Sequence, residues 1–208
     1  MRTKIPVILF FGVLLLTVTK VSGQDVAFSQ FYANPVYLNP ALAGSRVCPR
    51  VTLNYRNQYP SLGGNYVTYN ASFDMYSKKL SGGIAALVNA DMTGPLGSMA
   101  ASAVYSYHLK LSQKLTMNAA LQAGYFQYRL NWNKLVFEDM IVPGTGEVLP
   151  SSPNETQPPK LKVGDVDFSS GLVLGYDGTY YFGAAVHHIT SPDLAFYQGN
   201  ISRLAPKL

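Results

Sequence analysis

The residues that could carry out catalysis lie near the C-terminal end of the chain. His187 and His188 are adjacent and precede Ser191 and Asp193, a set from which a hydrolase like the barrel phospholipases could be built. The two histidines fall at the end of a predicted strand, where neighbouring side chains point to opposite faces, so we expect that they do not share one site. The pattern favours histidines at a rim or in a lumen over catalytic ones.

Other kinds of chemistry find little support in the sequence. Glu138 and Asp139 are adjacent, with no second carboxylate at a spacing suited to acid–base catalysis, and Gly82-Gly83 falls in a predicted strand and not in a phosphate loop. Cys48 is the only cysteine, which excludes an internal disulfide and a cysteine-based zinc site. We therefore predict that the protein is not an enzyme and that it has no cofactor and no metal site.

The elements that would position these residues are β-strands. After Arg50, apolar and polar residues alternate, with Val51 and Leu53 on one face and Thr52 and Asn54 on the other, which is the pattern of a strand with one polar face. The pattern recurs along the chain, weakly in the third stretch, and an eighth strand would begin near Ile201. The alternating pattern predicts seven antiparallel strands, at 50–59, 66–76, 79–90, 99–111, 114–130, 166–176 and 179–189.

The alternation leaves open which face is wet, because a soluble sandwich has its polar face outside and a transmembrane barrel has it inside. The strands run about ten residues or more, longer than in most soluble sheets and long enough for a tilted membrane strand. Tyrosines fall at both strand ends, as the two aromatic girdles of an outer-membrane barrel require. One predicted girdle contains Tyr59, Tyr66, Tyr125 and Tyr128, and the other contains Tyr76, Tyr107, Tyr176 and Tyr180.

The connections between the strands alternate in length. The tight ones are 77–79, 112–114 and 177–178, and the long ones are 91–98, 131–165 and 191–200. Outer-membrane barrels have short periplasmic turns and long extracellular loops, so a first strand that rises from the periplasm places every connection on its expected side. The sequence therefore predicts an all-β fold, an antiparallel outer-membrane β-barrel in contact with outer-membrane lipid.

The longest connection, 131–165, contains Trp132 and a polar, proline-rich second half. This composition predicts an exposed loop, because such a segment does not pack as a strand. The loop is either a crossing without a role or a surface for a secreted partner, and Trp132 is a candidate contact residue.

An N-terminal arm with two Asn-Pro pairs, residues 24–49, precedes the first strand. Phe28, Phe31 and Tyr32 have the spacing of one helical turn, which Pro35 ends because it excludes Asn34 from the α region. In the second pair, the asparagine suits the cap of another short helix, its proline suits the first position, and the glycine that follows suits the left-handed end. These residues are Asn39, Pro40 and Gly44.

Two interpretations of the arm remain open. The plain one is a segment stapled to the rest of the protein, since Asn-Pro pairs are common in loops. The functional one is a surface that binds a partner. On that interpretation the candidate partner-binding residues of the arm are Phe28, Phe31, Tyr32, Asn34, Pro35, Asn39 and Pro40.

Residues 1–23 have the pattern of a secretory signal peptide. Arg2 and Lys4 precede an apolar run of about fourteen residues, shorter than the roughly twenty that span a bilayer, and small residues precede Gln24. Removing this segment lowers the formal net charge by three, from +5 to +2, because Lys20 also lies in it. No cluster of basic and aromatic residues remains, so nucleic-acid binding is not expected.

The order of several motifs resembles the PorP/SprF family of outer-membrane proteins of the type IX secretion system. The resemblance covers nearly all of the chain after the signal peptide. The motifs that carry it are SQFYANPVYLNPALAG, RVTLNYRNQYPSLGGNYVTYNASFD, SGGIAALVNAD, VYSYHLKLS, LQAGYFQYRLNWNKLVFEDM and GAAVHHITSPDLAF.

The resemblance implies a non-enzymatic outer-membrane component that supports secretion or cell-surface attachment of exported proteins, of the gliding or adhesin type. Its expected partners are other type IX secretion components and a secreted surface protein. The alternative is an independent outer-membrane porin or a small adhesin-like barrel. The resemblance also implies several more strands, so we expect residues 50–208 to be the N-terminal part of a barrel of about fourteen strands.

Overall fold

A computed structural model describes residues 28, 30–46, 48–61, 66–152, 154–197 and 202–208. The predicted signal peptide, the predicted cleavage before Gln24 and the predicted eighth-strand start at Ile201 lie outside the described residues. In the part of the chain that the structure covers, no helix is long and apolar enough to cross a membrane. The strands are β1 (Arg50–Gln58), β2 (Tyr66–Ser77), β3 (Gly82–Thr93), β4 (Leu96–Lys110), β5 (Leu115–Leu130), β6 (Lys162–Tyr176) and β7 (Tyr180–Val186).

The remaining regular elements are short. One helix, α1 (Pro35–Leu38), lies in the N-terminal arm between two 3-10 turns, and the connection after β5 contains two more 3-10 turns. These turns are Phe31–Ala33, Pro40–Leu42, Trp132–Lys134 and Glu138–Met140.

The seven strands form one antiparallel sheet in which each strand pairs with its sequence neighbours, in the order β1 to β7. This confirms the predicted strand count and the all-antiparallel topology. The longest strands, β4, β5 and β6, have 15, 16 and 15 residues. A tilted membrane strand needs only about nine to eleven residues.

The sheet curls into a half-barrel with a polar concave face and an apolar convex face. On the concave side, Thr68, Asn70 and Asp74 of β2 are at most 3% exposed. On the convex side, Leu53 of β1 is 75% exposed and Leu121 of β5 is 70% exposed. The predicted division of each strand into two faces is therefore confirmed, and the polar face is the inner one.

The predicted long connection at 91–98 is wrong. β3 continues to Thr93, which pairs directly with Leu96 of β4, so that only Gly94 and Pro95 lie between the strands. Gly94 has a φ of +59°, and a two-residue hairpin connection requires such a positive φ. Two strands lengthened by a tight hairpin therefore replace the loop that the Gly-Pro pair had indicated.

The tyrosines lie at the strand ends as predicted, but three of the eight belong to the concave face. Tyr76 stacks on His108 with ring centroids 5.5 Å apart, and Tyr66 and Tyr128 line a cavity on that face. The strict two-residue period decides this, because each of the three shares its parity with the polar residues of its strand. The convex members include Tyr107 and Tyr125, which are exposed.

Candidate functional site on the concave face

The arm lies across the concave face of the half-barrel. Its first turn is shorter than predicted, because Phe28 lies outside the turn and packs edge-on against Tyr37, with ring centroids 5.5 Å apart. Its second turn has the predicted cap: the Asn39 side chain accepts a hydrogen bond from the Ala41 amide at 2.9 Å. Gly44 follows with a φ of +66°, as predicted.

The asparagines of the two Asn-Pro pairs bind the arm to strands near opposite edges of the sheet. The Asn34 side chain donates to Oδ1 of Asn70, on β2, at 2.6 Å. The Asn39 side chain donates to the carbonyl oxygens of Leu172 on β6 and Ala184 on β7, at 3.2 and 3.1 Å. A segment of a few residues thus connects strands that lie near the two edges of the sheet.

Between these two anchors, inner side chains of β4 and β5 satisfy the backbone of the arm. The carbonyl oxygen of Ala41 accepts from Ser106 Oγ at 3.1 Å and from Asn118 Nδ2 at 3.4 Å. Nε2 of His108 lies 3.1 Å from the carbonyl oxygen of Ala43. Buried backbone groups need such partners, and here the sheet supplies them through side chains, since the arm adds no strand.

The end of the arm is fixed by a buried carboxylate. Asp74 is 1% exposed, and its Oδ2 accepts from the Gly44 amide at 2.9 Å. The same carboxylate binds Arg50 of β1 through two contacts, at 2.8 and 2.9 Å. The bidentate ion pair compensates the charge of Asp74 inside the sheet.

The arm also fits the sheet closely. A Cβ atom on Gly83 would overlap the carbonyl oxygen of Ala43, and a Cβ atom on Gly171 would overlap Oδ1 of Asn39. The contact is a small apolar core between arm and sheet, and glycine permits this approach. Its buried residues are Val36, Ala41, Ala43, Ala85, Val104, Ala120 and Val173.

The structure separates the candidate partner-binding residues of the arm into two groups. Asn34, Asn39 and Pro40 are buried against the sheet, whereas Phe31 and Tyr32 are 58% and 68% exposed. Phe28 and Pro35 are partly exposed. A partner could therefore reach the two exposed rings, which touch each other edge-on, and the binding role of the set stays a prediction.

A cavity of about 420 Å³ occupies the part of the concave face that the arm leaves open. Asp91 in its wall accepts from Thr68 at 2.5 Å and from Thr93 at 3.0 Å. Gln122 also lines it and donates to Ser102 at 3.1 Å. Oε1 of Gln122 is buried and has no hydrogen-bond partner among the residues that the structure describes.

The expectation that His187 and His188 face opposite sides is wrong, because both line this cavity. β7 ends at Val186, and His188 has a φ of +56°, so the alternation of a strand does not extend to it. Nδ1 of His188 lies 2.8 Å from Oδ2 of Asp167. Ser191 and Asp193, the other two residues of the hydrolase set, do not line the cavity.

Ser191 and Asp193 build the chain turn that follows instead. The Ser191 amide donates to the His188 carbonyl at 3.0 Å. Oδ1 of Asp193 accepts from the amides of Ala195 and Ser202, at 3.2 and 3.0 Å. Among the described residues, no group of three or more histidine, cysteine or acidic side chains could hold a metal ion.

The connection 131–161 has its own local structure. Trp132 is half-buried and packs on Phe137, with ring centroids 5.2 Å apart. The Asp139 carboxylate accepts from Ser152 Oγ at 2.5 Å and from the Asn154 amide at 3.1 Å. The hydrogen bond from Ser152 is the largest cause that lowers the pKa of Asp139. The candidate contact residue Trp132 thus belongs to a folded loop.

Several residues that hold the arm were not singled out from the sequence. Asn70, Asp74, Gly83 and Gly171 appeared only as members of alternating strands. Alternation alone does not say that these positions receive another segment of the chain.

A family model agrees with this architecture. The model of the type IX secretion system membrane protein PorP/SprF matches residues 20–207. No curated protein and no solved structure matches the chain. Since the match covers most of the 208 residues, the chain belongs to the PorP/SprF family of type IX secretion system membrane proteins.

Proposed function

We propose that this protein is an outer-membrane β-barrel component of the type IX secretion system that supports secretion or cell-surface attachment of exported proteins. The role is non-enzymatic, and the exported proteins are of the gliding or adhesin type. The proposal combines the family with one structural observation, the exposed apolar convex face.

That face is unlike the outside of a soluble sheet protein. Large apolar side chains project from successive strands, and Leu53, Leu121 and Phe182 are 70% or more exposed. In a soluble sandwich these side chains would be buried against a second sheet, and the polar ones would be outside. Lipid is the solvent that favours the observed arrangement, since barrels in membranes alternate apolar outward and polar inward.

The predicted export signal and the strand type support the outer-membrane part of the proposal. Residues 1–23 have the composition of a signal peptide, and bilayer-spanning antiparallel barrels are typical of outer membranes. On this proposal, the signal peptide is cleaved during export and the mature protein begins at Gln24. The exposed rings of Phe31 and Tyr32 and the folded loop around Trp132 are the proposed contacts with other secretion components and with the secreted surface protein.

Deletion of the gene tests the proposed function. We expect the loss of one or a few type IX substrates from the cell surface, with unchanged uptake of small solutes, and restoration by the wild-type gene. Immunodetection of surface proteins and a solute-uptake assay measure the two effects. A strain with normal surface proteins and reduced solute uptake would instead establish the porin alternative.

A further inference from the structure

We propose that residues 34–44 of the arm form a fixed plug, so that the cavity on the concave face is closed at its turn-side end. Two ends of the sheet define the geometry. The turn side carries the connections 78–81, 111–114 and 177–179, and the loop side carries the connection 131–161.

The plug is anchored on both flanks of the half-barrel. Asn34 binds β2 at 2.6 Å, while Asn39 binds the carbonyl oxygens of Leu172 and Ala184 on β6 and β7. Asp74 fixes the last residue of the segment through the Gly44 amide. Displacing a segment held in this way breaks hydrogen bonds on opposite strands and leaves buried polar groups without partners.

The plug leaves little space beneath it. Ser106 of β4, directly below the arm, is 0% exposed and donates to Ala41. Gly83 lies so close to the carbonyl oxygen of Ala43 that a methyl group on it would overlap that oxygen. Val36 and Ala41 are fully buried in the same contact. Such dense packing excludes water from the contact between the arm and the sheet.

Strand register places the cavity on the loop side of the plug. Asp74 and Gly83 lie beneath the arm, whereas Thr68 and Asp91, which pair with each other further toward the loop side, line the cavity. On β4, the buried Ser106 and the cavity residue Ser98 are separated in the same way. The arm therefore closes the turn-side end of the recess.

Cysteine labelling on the full-length protein tests the plug. In a Cys48→Ser background, which removes the exposed native thiol, Ser106→Cys reports on the space beneath the arm and Ser98→Cys reports on the recess. We expect a maleimide reagent to modify Ser98→Cys at least about tenfold faster than Ser106→Cys. Equal labelling rates of the two cysteine variants, both folded, would overturn the proposal.

A pair of glycine variants adds a control for the cause of protection. Gly83→Ala should displace the arm and raise the labelling rate of Ser106→Cys about tenfold or more. Gly97→Ala is matched, because it also lies in a strand, and a Cβ atom there would have no contact shorter than 3.8 Å. It should leave the rate unchanged. Protection that persists in folded Gly83→Ala would show that the arm is not the barrier.

Ion conductance in planar bilayers measures the consequence. Gly83→Ala, which displaces the arm, should conduct more than the native protein, and equal currents from the two proteins would overturn the proposal. The inference rests on the proposed function only for its membrane setting. A deletion strain that keeps its surface proteins would refute the secretion role while the labelling result stands, so the two failures are distinguishable.

Discussion

At the scale of single residues, Asn39 of the arm acts through both ends of its side-chain amide group. Oδ1 of Asn39 caps the turn that starts at Pro40, and its Nδ2 binds two strands of the sheet. An aspartate would keep the cap and lose the donor, and a serine is too short to keep both. The helix cap and the hydrogen bonds to β6 and β7 therefore both require asparagine at this position.

Asn39→Ala should destabilise the protein by about 1 to 3 kcal/mol, because it removes the cap and leaves buried carbonyl oxygens without their donor. The measurement is the midpoint of urea-induced unfolding of the folded protein. Asn133→Ala is the matched control, since Asn133 is exposed in the loop after β5. Equal midpoints for both variants would mean that the side chain of Asn39 contributes nothing to stability.

The sequence predicted one half of the role of these residues. The sequence predicts the helix cap at Asn39, the first helical position at Pro40 and the left-handed end at Gly44, because capping depends on residues within one turn. The partners of Asn39 on β6 and β7 were not readable, because they lie 133 and 145 residues further along the chain. Periodicity carries no information about contacts between such distant segments.

At the scale of elements, the two-residue period predicted the faces of the strands correctly, whereas several predicted strand ends differ from the observed ones. β3 and β4 pair through Thr93 and Leu96, beyond the point where Gly-Pro had indicated a loop. Gly94 and Pro95 correctly predict an interruption between the two strands, but the predicted connection is too long. Only the register across two strands decides between a two-residue hairpin and a longer connection.

Phe73→Arg should impair assembly into the membrane by about 2 to 4 kcal/mol, because Phe73 projects from the middle of β2 on the convex face. Heat-modifiable mobility of outer-membrane protein in gels measures the folded fraction. Tyr107→Arg is the control at a strand end, where the same charge costs about 0 to 1 kcal/mol. If both variants assemble like the native protein, the convex face does not contact lipid.

At the scale of the whole molecule, alternation predicted the strand number and the two faces of each strand, while strand length, tyrosine positions and connection lengths predicted that the polar face is the inner one. The fate of that polar face was not predicted. Inward asparagine, serine and aspartate side chains are typical of a water-filled lumen, and here many of them bind the arm instead. The sequence offers no means to distinguish water from a neighbouring segment as the partner of a polar side chain.

The orientation of the sheet in the membrane is testable on intact cells. In a Cys48→Ser background, Thr145→Cys in the loop after β5 should react with a membrane-impermeant maleimide, and Lys79→Cys in the turn after β2 should not. The reason is the location of long loops outside and short turns in the periplasm. Labelling of Lys79→Cys alone would invert the topology.

The contacts of Asn39 also set an order of events during biogenesis. Its donor group meets carbonyl oxygens on β6 and β7, so the arm reaches its final position only after the sixth and seventh strands have paired. Contacts between such distant segments form late, because a long stretch of chain must first be ordered. On the proposed export route the arm leaves the export channel early, and we expect its seating to be among the last steps of folding and to mark a sheet that has been built through to β7.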